Sequence, residues 1–347
     1  MDEIEILRAV GSDVPPPRAG AKQAARAALI AAATEVSARP TFRWPRLPLQ
    51  RPRLVIPAVI VSLVVVLALG IVPLGNRPDP AAAAALTAVA DVAAALPAAP
   101  VDSYRHTKSE GAWLSGIGGP SDRPDGIWAL VPVTRELWIK PDGSGRLIET
   151  RGQPIWFGPA DKTAWVAVGS PDLGGGRHTD TRFGPTPPGA DPSQPQVWPG
   201  SLRYEDVDAL PTDPSALRQL IDQRAAANGG GPTDYERFTI VGDLLRETAA
   251  APQVRAALYR VAAELGGVQL IGSTTDRAGR TGTAVVMTNA QSSRGLERRV
   301  LIFDPSTSIL LEEQDVLLHQ VDWLDANSPI VIGYATYLVS DIVEAIP

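Results

Sequence analysis

The 347-residue chain contains no cysteine. That absence excludes a disulfide framework, a thiolate zinc site and a cysteine nucleophile together. Histidine is nearly as scarce. His106, His178 and His319 lie far apart, and none belongs to an HExxH pair. The chain also lacks a GxSxG nucleophile turn, an SxxK motif, a GxxxxGK[ST] phosphate loop and an EF-hand loop. Gly174, Gly175 and Gly176 lead into Arg177 and His178, but without the strand–turn–helix setting or the lysine of a phosphate loop. Glu205, Asp206, Asp208 and Asp213 have the wrong spacing for an EF-hand and read as helix capping plus solvated charge. The sequence therefore offers no catalytic residue, cofactor contact or metal ligand. It reads as a non-enzymatic protein.

Charge is absent from one stretch and uneven across the rest. Residues 1–53 hold nine Arg or Lys and five Asp or Glu, residues 54–74 hold none, and residues 75–347 hold 23 basic and 33 acidic residues. The last segment is thus net −10, against +4 for the first. Phosphate contacts need concentrated positive charge, so the acidic segment argues against a nucleic-acid partner.

The uncharged stretch is also apolar. In residues 54–72, fourteen of nineteen are Leu, Ile or Val. A helix of that length spans about 28 Å, close to the hydrocarbon thickness of a bilayer. Those side chains favour insertion by roughly 4–8 kcal/mol. A cleaved signal peptide has a short basic lead and a shorter apolar core, whereas this run follows a lead of 53 residues. An uncleaved anchor over residues 54–74 is the expectation. Arg39, Arg43, Arg46, Arg51 and Arg53 precede the run, and only Arg77 follows closely, so the N-terminus is expected in the cytoplasm and the large domain outside.

Residues 1–53 are too few for a substantial core. Ile4, Ile6, Leu7 and Val10 suggest one short helix, and residues 21–37 a second, with Pro15, Pro16 and Pro17 between them. Such helices either dock on a partner or stay partly disordered. After a linker at 75–80, Asp79 and Pro80 open a helix with Leu86, Val89, Ala93 and Leu96 on one face.

The remainder of 81–347 is expected to be α+β: a curved antiparallel sheet partly covered by helices. Alternation through Val133–Lys140, the turn Pro141-Asp142-Gly143-Ser144-Gly145 and the return through Arg146–Arg151 predict a hairpin. A short strand is expected at 164–168, and a long loop over 171–200, which holds seven Pro and six Gly. Three helices follow: one capped by Thr212 or Asp213, one opened by the Thr233-x-x-Glu236 capping box, and one beginning near Pro252. The tail from 268 reads as a β-meander, with Glu312, Glu313 and Asp315 as polar positions on a strand. Five tryptophans (113, 128, 138, 156 and 165) fall in the first strand-rich part. They serve either as core or, for Trp138, Trp156 and Trp165, as the lining of an apolar ligand face.

The layout resembles a family of actinobacterial single-pass proteins, often encoded beside extracytoplasmic-function sigma factors and regarded as anti-sigma regulators. The resemblance rests on the MDEIEILRAVGSDVP start, the Arg-flanked anchor and the Ala-rich helix. It extends through ALPTDPSALRQLI, FTIVGDLLRE, QVRAALYRVAAELGGV, DRAGRTGTAVV and LIFDPSTSILLEE. The DRAGR hairpin and the following strands are also similar to the lipid-contacting sheets of lipoprotein carriers and sigma-regulatory sensors. The resemblance implies a sensing domain outside, with residues 1–53 contacting a cytoplasmic sigma factor. The His/Cys zinc motif of many anti-sigma domains is missing. The alternative is an anchored module that binds an envelope lipid or lipoprotein without signalling. The bilayer itself is a partner under both readings.

Overall fold

A computed structural model describes the chain from residue 77 onward, apart from residues 99, 101, 119–125, 186–195, 199–201, 228–230, 247–249 and 325. The chain divides into units at 1–60 and 61–347, and every described residue belongs to the second. The expected cytoplasmic helices and the span at 54–74 lie outside the described residues. No helix among the described residues is long and apolar enough to cross a membrane.

The architecture is α+β. Helix α1 (Pro80–Ala95) comes first. Strands β1 (Tyr104–Ile117), β2 (Ile127–Ile139), β3 (Gly145–Arg151) and β4 (Ile155–Trp156), helix α2 (Pro159–Ala167) and strand β5 (His178–Phe183) follow. A small ribbon of β6 (Gln196–Trp198) and β7 (Leu202–Arg203) leads through a 3-10 turn to α3 (Pro214–Ala227), α4 (Asp234–Leu245) and α5 (Pro252–Ala263). The chain ends in β8 (Gln269–Thr275), β9 (Thr281–Asn289), β10 (Glu297–Phe303), β11 (Leu310–Leu317) and β12 (Ile330–Val343).

Ten strands form one antiparallel sheet in the order β5-β3-β2-β1-β12-β11-β10-β9-β8, with β4 beside β2. Two meanders thus meet in the middle, where β1 pairs with β12 from Tyr104↔Val343 to Trp113↔Gly333. The C-terminal meander matches the expected hairpins. Asp276 closes the first turn by accepting from the Arg280 amide at 2.8 Å, and Gly279 adopts φ 82°, which a residue with a Cβ resists.

The core lies between the helices and one sheet face. Ala is the strongest helix former, and α1 is mostly Ala. Its larger residues Leu86 and Val89 are buried beside Ala82, Ala90 and Ala93, and the small side chains let α1 pack closely along α5. Phe238 and Leu244 of α4, and Leu258 and Val261 of α5, meet Val285, Leu301 and Phe303 of the sheet. Burying each such aliphatic side chain contributes about 1.5–3 kcal/mol. A second apolar cluster on the other face includes Val286, Val300, Ile302 and Leu311.

Three expectations change. Residues 164–168 are not a strand but the last turn and C-cap (Val168) of α2, which starts at Pro159 after Gly158. Within 171–200 the chain forms edge strand β5, paired with β3 from Gly145↔Phe183 to Thr150↔His178. Glu312 and Glu313 are buried, because α4 covers Glu313 and the 276–280 turn covers Glu312.

Candidate functional site

A roomy concavity of about 670 Å³ opens on the described surface. That lies within the usual range for small-molecule sites. Four walls enclose it, with Ser103, Arg105 of β1 and Pro141 completing the lining. Past α1, Leu96, Pro97, Ala98 and Pro100 form one wall, with prolines that end the helix and deny the backbone a donor. Leu96 was expected on the helix face. It is instead the C-cap, and it lines the cavity.

The second wall is the β10–β11 turn. Asp304 accepts from the Ser306 amide and hydroxyl, each at 2.7 Å, and Ser308 sits at φ 62°. The buried Tyr259 hydroxyl donates to the Ser308 carbonyl at 2.9 Å, fixing the turn against α5. Ser306, Thr307 and Ile309 of this segment face the cavity. The third wall is the entry to α5 through Ala250, Ala251 and Pro252, and the fourth is the end of β12 with Ser340 and Ile342.

Two guanidiniums lie in this apolar surround. Arg105, on β1 opposite Ile342, is 4% exposed, and burial lowers its pKa to about 10. Arg255, in the first turn of α5, donates to the Ala250 carbonyl at 2.9 Å and to the Ser308 hydroxyl oxygen at 3.2 Å. Burial lowers its pKa as well. A smaller hollow shared by Arg255, Ile309 and Ser340 continues toward Thr107 and Tyr337, with room for about one water.

The tryptophans singled out from the sequence lie elsewhere. Trp156 and Trp165 come together, ring centroids 5.2 Å apart, over Ala129, Val131 and Leu173. The Trp165 indole donates to the Pro171 carbonyl at 2.8 Å, which anchors α2 to the loop after it. Trp138 is on the opposite face of β2 from Ala129 and Val131, because side chains alternate along an unbroken register. There it stacks on His106 at 4.7 Å, and His106 in turn bonds Glu136 and Asp341 at 3.0 Å each. None of the three lines the cavity.

Sequence reasoning missed Arg105 and Arg255. The available signal was weak: Arg105 shares its side of β1 with the polar Thr107 and Ser109, so nothing in the pattern marks that side as buried, and Arg255 occupies the first turn of a helix, where a cation opposes the dipole. Among the described residues, no group of three His, Asp or Glu side chains is arranged to hold a metal ion. No family model matches the chain, and no curated protein is similar to it.

Proposed function

We propose that the chain is a bitopic membrane regulator whose extracytoplasmic α+β domain binds an apolar envelope ligand in this cavity. The cavity carries the reading, since it combines ligand-sized volume with mostly apolar walls. The uncharged run at 54–74 and its arginine flank support the anchor and its orientation. The resemblance to sigma-associated single-pass proteins supports the regulatory role, with residues 1–53 as the contact for a cytoplasmic sigma factor. In the chain the wall at Leu96–Pro100 follows α1, which itself follows the 75–80 linker and the uncharged run.

The absence of cysteine makes a clean test available. Ser306→Cys, on the cavity rim, is compared with Ser293→Cys in the β9–β10 turn, both in the full chain in intact cells. A membrane-impermeant maleimide is expected to label both, and decanol is expected to slow labelling at 306 alone. Labelling that requires cell lysis would overturn the orientation. Labelling at 306 that decanol does not slow would remove the cavity as the ligand site.

A further inference from the structure

His106 stands opposite Trp138, on the face of the sheet away from Leu137, Ile139 and the helices that cover them. Both of its ring nitrogens meet carboxylates. Nδ1 lies 3.0 Å from an Asp341 oxygen on β12, and Nε2 lies 3.0 Å from a Glu136 oxygen on β2. An ionised carboxylate only accepts, so each contact needs an N–H on the ring. A neutral imidazole carries one N–H and an imidazolium carries two. The arrangement is complete only with the ring charged. Trp138 favours that form by stacking on the ring, centroids 4.7 Å apart and planes 3° from parallel. Burial works to raise the Glu136 pKa, but hydrogen bonds from His106 and Lys108 hold it below the ordinary carboxylate range, so it stays an acceptor.

The place of this cluster in the sheet gives it a consequence. Asp341 sits between Ser340 and Ile342, which form the β12 wall of the cavity from the other face. Its partner in register is His106, with Thr107 opposite Ser340 and Arg105 opposite Ile342. The His106–Asp341 bond therefore holds the wall strand against β1 two residues before β12 ends at Val343. Glu136 has a second donor in Lys108 at 3.1 Å, and its side chain is 24% exposed. Asp341 is 55% exposed, and among the described residues His106 alone holds it. A ring left with one N–H thus keeps Glu136, and Asp341 turns to water. The other charges around the ring are Arg146 of β3 beyond Trp138, itself paired with Asp180 at 2.7 Å, and Lys140 over Tyr104 in the next row. Of these side-chain types, histidine is the one whose charge changes between about pH 5 and 8.

We infer that His106 is a proton-operated latch on the β12 wall of the cavity. Charged, it ties β2 and β12 to β1 and holds Ser340 and Ile342 in place. Neutral, it releases Asp341, the wall loosens, and the cavity holds its apolar ligand less tightly. The inference rests on the reading that the cavity binds an apolar ligand, and it adds proton control of that site.

The test uses full chain carrying Ser306→Cys in nanodiscs, with protection from maleimide by decanol as the readout, at pH 5.5 and pH 8.5. Each labelling rate is divided by the rate without decanol at the same pH, so ionisation of the thiol cancels. Half-protection is expected at about fivefold lower decanol at pH 5.5, the lower end of the usual coupling between sites. His106→Gln and Asp341→Asn should each remove the difference while decanol still protects, which shows that the cavity is intact. His178→Gln and His319→Gln should keep it. Equal half-protection at the two pH values, or a difference that survives in both His106→Gln and Asp341→Asn, would overturn the latch while the apolar cavity stands. Histidine ring 15N shifts of the parent chain give a second readout that needs neither decanol nor a folded variant. His106 is expected to carry N–H on both nitrogens at pH 5.5 and on one at pH 8.5, and the same state at both would overturn the latch directly. If decanol protects at neither pH, the binding reading fails, and the latch is judged by the ring shifts alone.

Discussion

Glu313 and Asp315 stand two residues apart on β11 and titrate in opposite directions. Burial works to raise the Glu313 pKa, but Arg246 and Arg299 outweigh it and hold the carboxyl below the ordinary range. Arg246 approaches it at 2.8 Å, and the Tyr337 hydroxyl donates to it at 2.7 Å. Asp315 has the Arg299 guanidinium at 3.9 Å, with Arg294 adding a weaker pull. Burial, with Glu313 and Glu297 adding repulsion, raises it to about 6 against that pull. An unfolded aspartate titrates at about 3.9. Between about pH 4 and pH 6 the folded state therefore binds more protons here than the unfolded chain, and this contribution to stability falls as pH rises. Above that window the ionised side chain costs about 3 kcal/mol. For Glu313 the sign is reversed: its contribution is present above the unfolded pKa and lost as pH falls through the depressed folded value. Asp315→Asn is thus expected to stabilise the full chain by roughly 1–3 kcal/mol at pH 7 and by little at pH 4. Urea unfolding at both pH values measures the difference, and a variant no more stable at pH 7 than at pH 4 relative to wild type would sink the argument. The alternation in the sequence made these acids strand residues but could not bury them. Their partners Arg246 and Arg299 come from α4 and β10, and an alternating pattern carries no information about what lies over its polar side.

Asp79 shows how an element can be tied at both ends of one side chain. One carboxylate oxygen accepts from the Ala81 amide at 3.0 Å and caps α1, as expected from the sequence. The other accepts from the Leu270 amide on edge strand β8 at 3.2 Å, which nothing in the sequence suggests. Asp79→Ala loses the cap and frees the edge strand, so a destabilisation of about 1–2 kcal/mol is expected. Asp79→Asn keeps acceptor capacity and should lose less. Thermal unfolding of the two variants side by side decides this, and equal losses would show that the cap alone matters. The capping boxes were readable for a physical reason: a cap is local. Thr233 accepts from the Glu236 amide at 3.1 Å, and Asp213 from the Ala216 amide at 2.9 Å, each within three residues. The run Ala164–Val168 misled because a short apolar stretch with Trp and Val fits a strand or a helix equally. Pro159 after Gly158 decided it, and Val166 stands 57% exposed on the outer side of α2. The cavity was not legible for the opposite reason. Residues 96–100, 105, 250–255, 306–309 and 340–342 meet only after the whole sheet has formed.

At the scale of the molecule, the first and last strands of the sheet-forming sequence lie side by side at its centre. The N-terminal meander β1–β5 and the C-terminal meander β8–β12 share no sheet pairing other than β1 with β12. That single seam joins the two meanders in one ten-stranded sheet, and the cavity lies at one end of it, where Arg105 opposes Ile342. Gly111 marks the closest approach. A Cβ there would come 2.4 Å from the Tyr334 carbonyl oxygen, a backbone atom that can move only if the strands part. If the seam couples the halves, weakening it must weaken both at once. Trp113, Trp128, Trp138, Trp156 and Trp165 lie in the N-terminal meander and Trp323 in the C-terminal one, so fluorescence weights the N-terminal half, whereas helicity reports mainly on α1 and α3–α5 over the C-terminal half. Tryptophan fluorescence and circular dichroism at 222 nm should therefore give coincident denaturant transitions in wild type. Gly111→Ala is expected to lower both midpoints together, by roughly 1–3 kcal/mol of stability. Two separated transitions in either protein, or a shift confined to fluorescence, would mean that the halves fold independently and that the seam is only a contact between them.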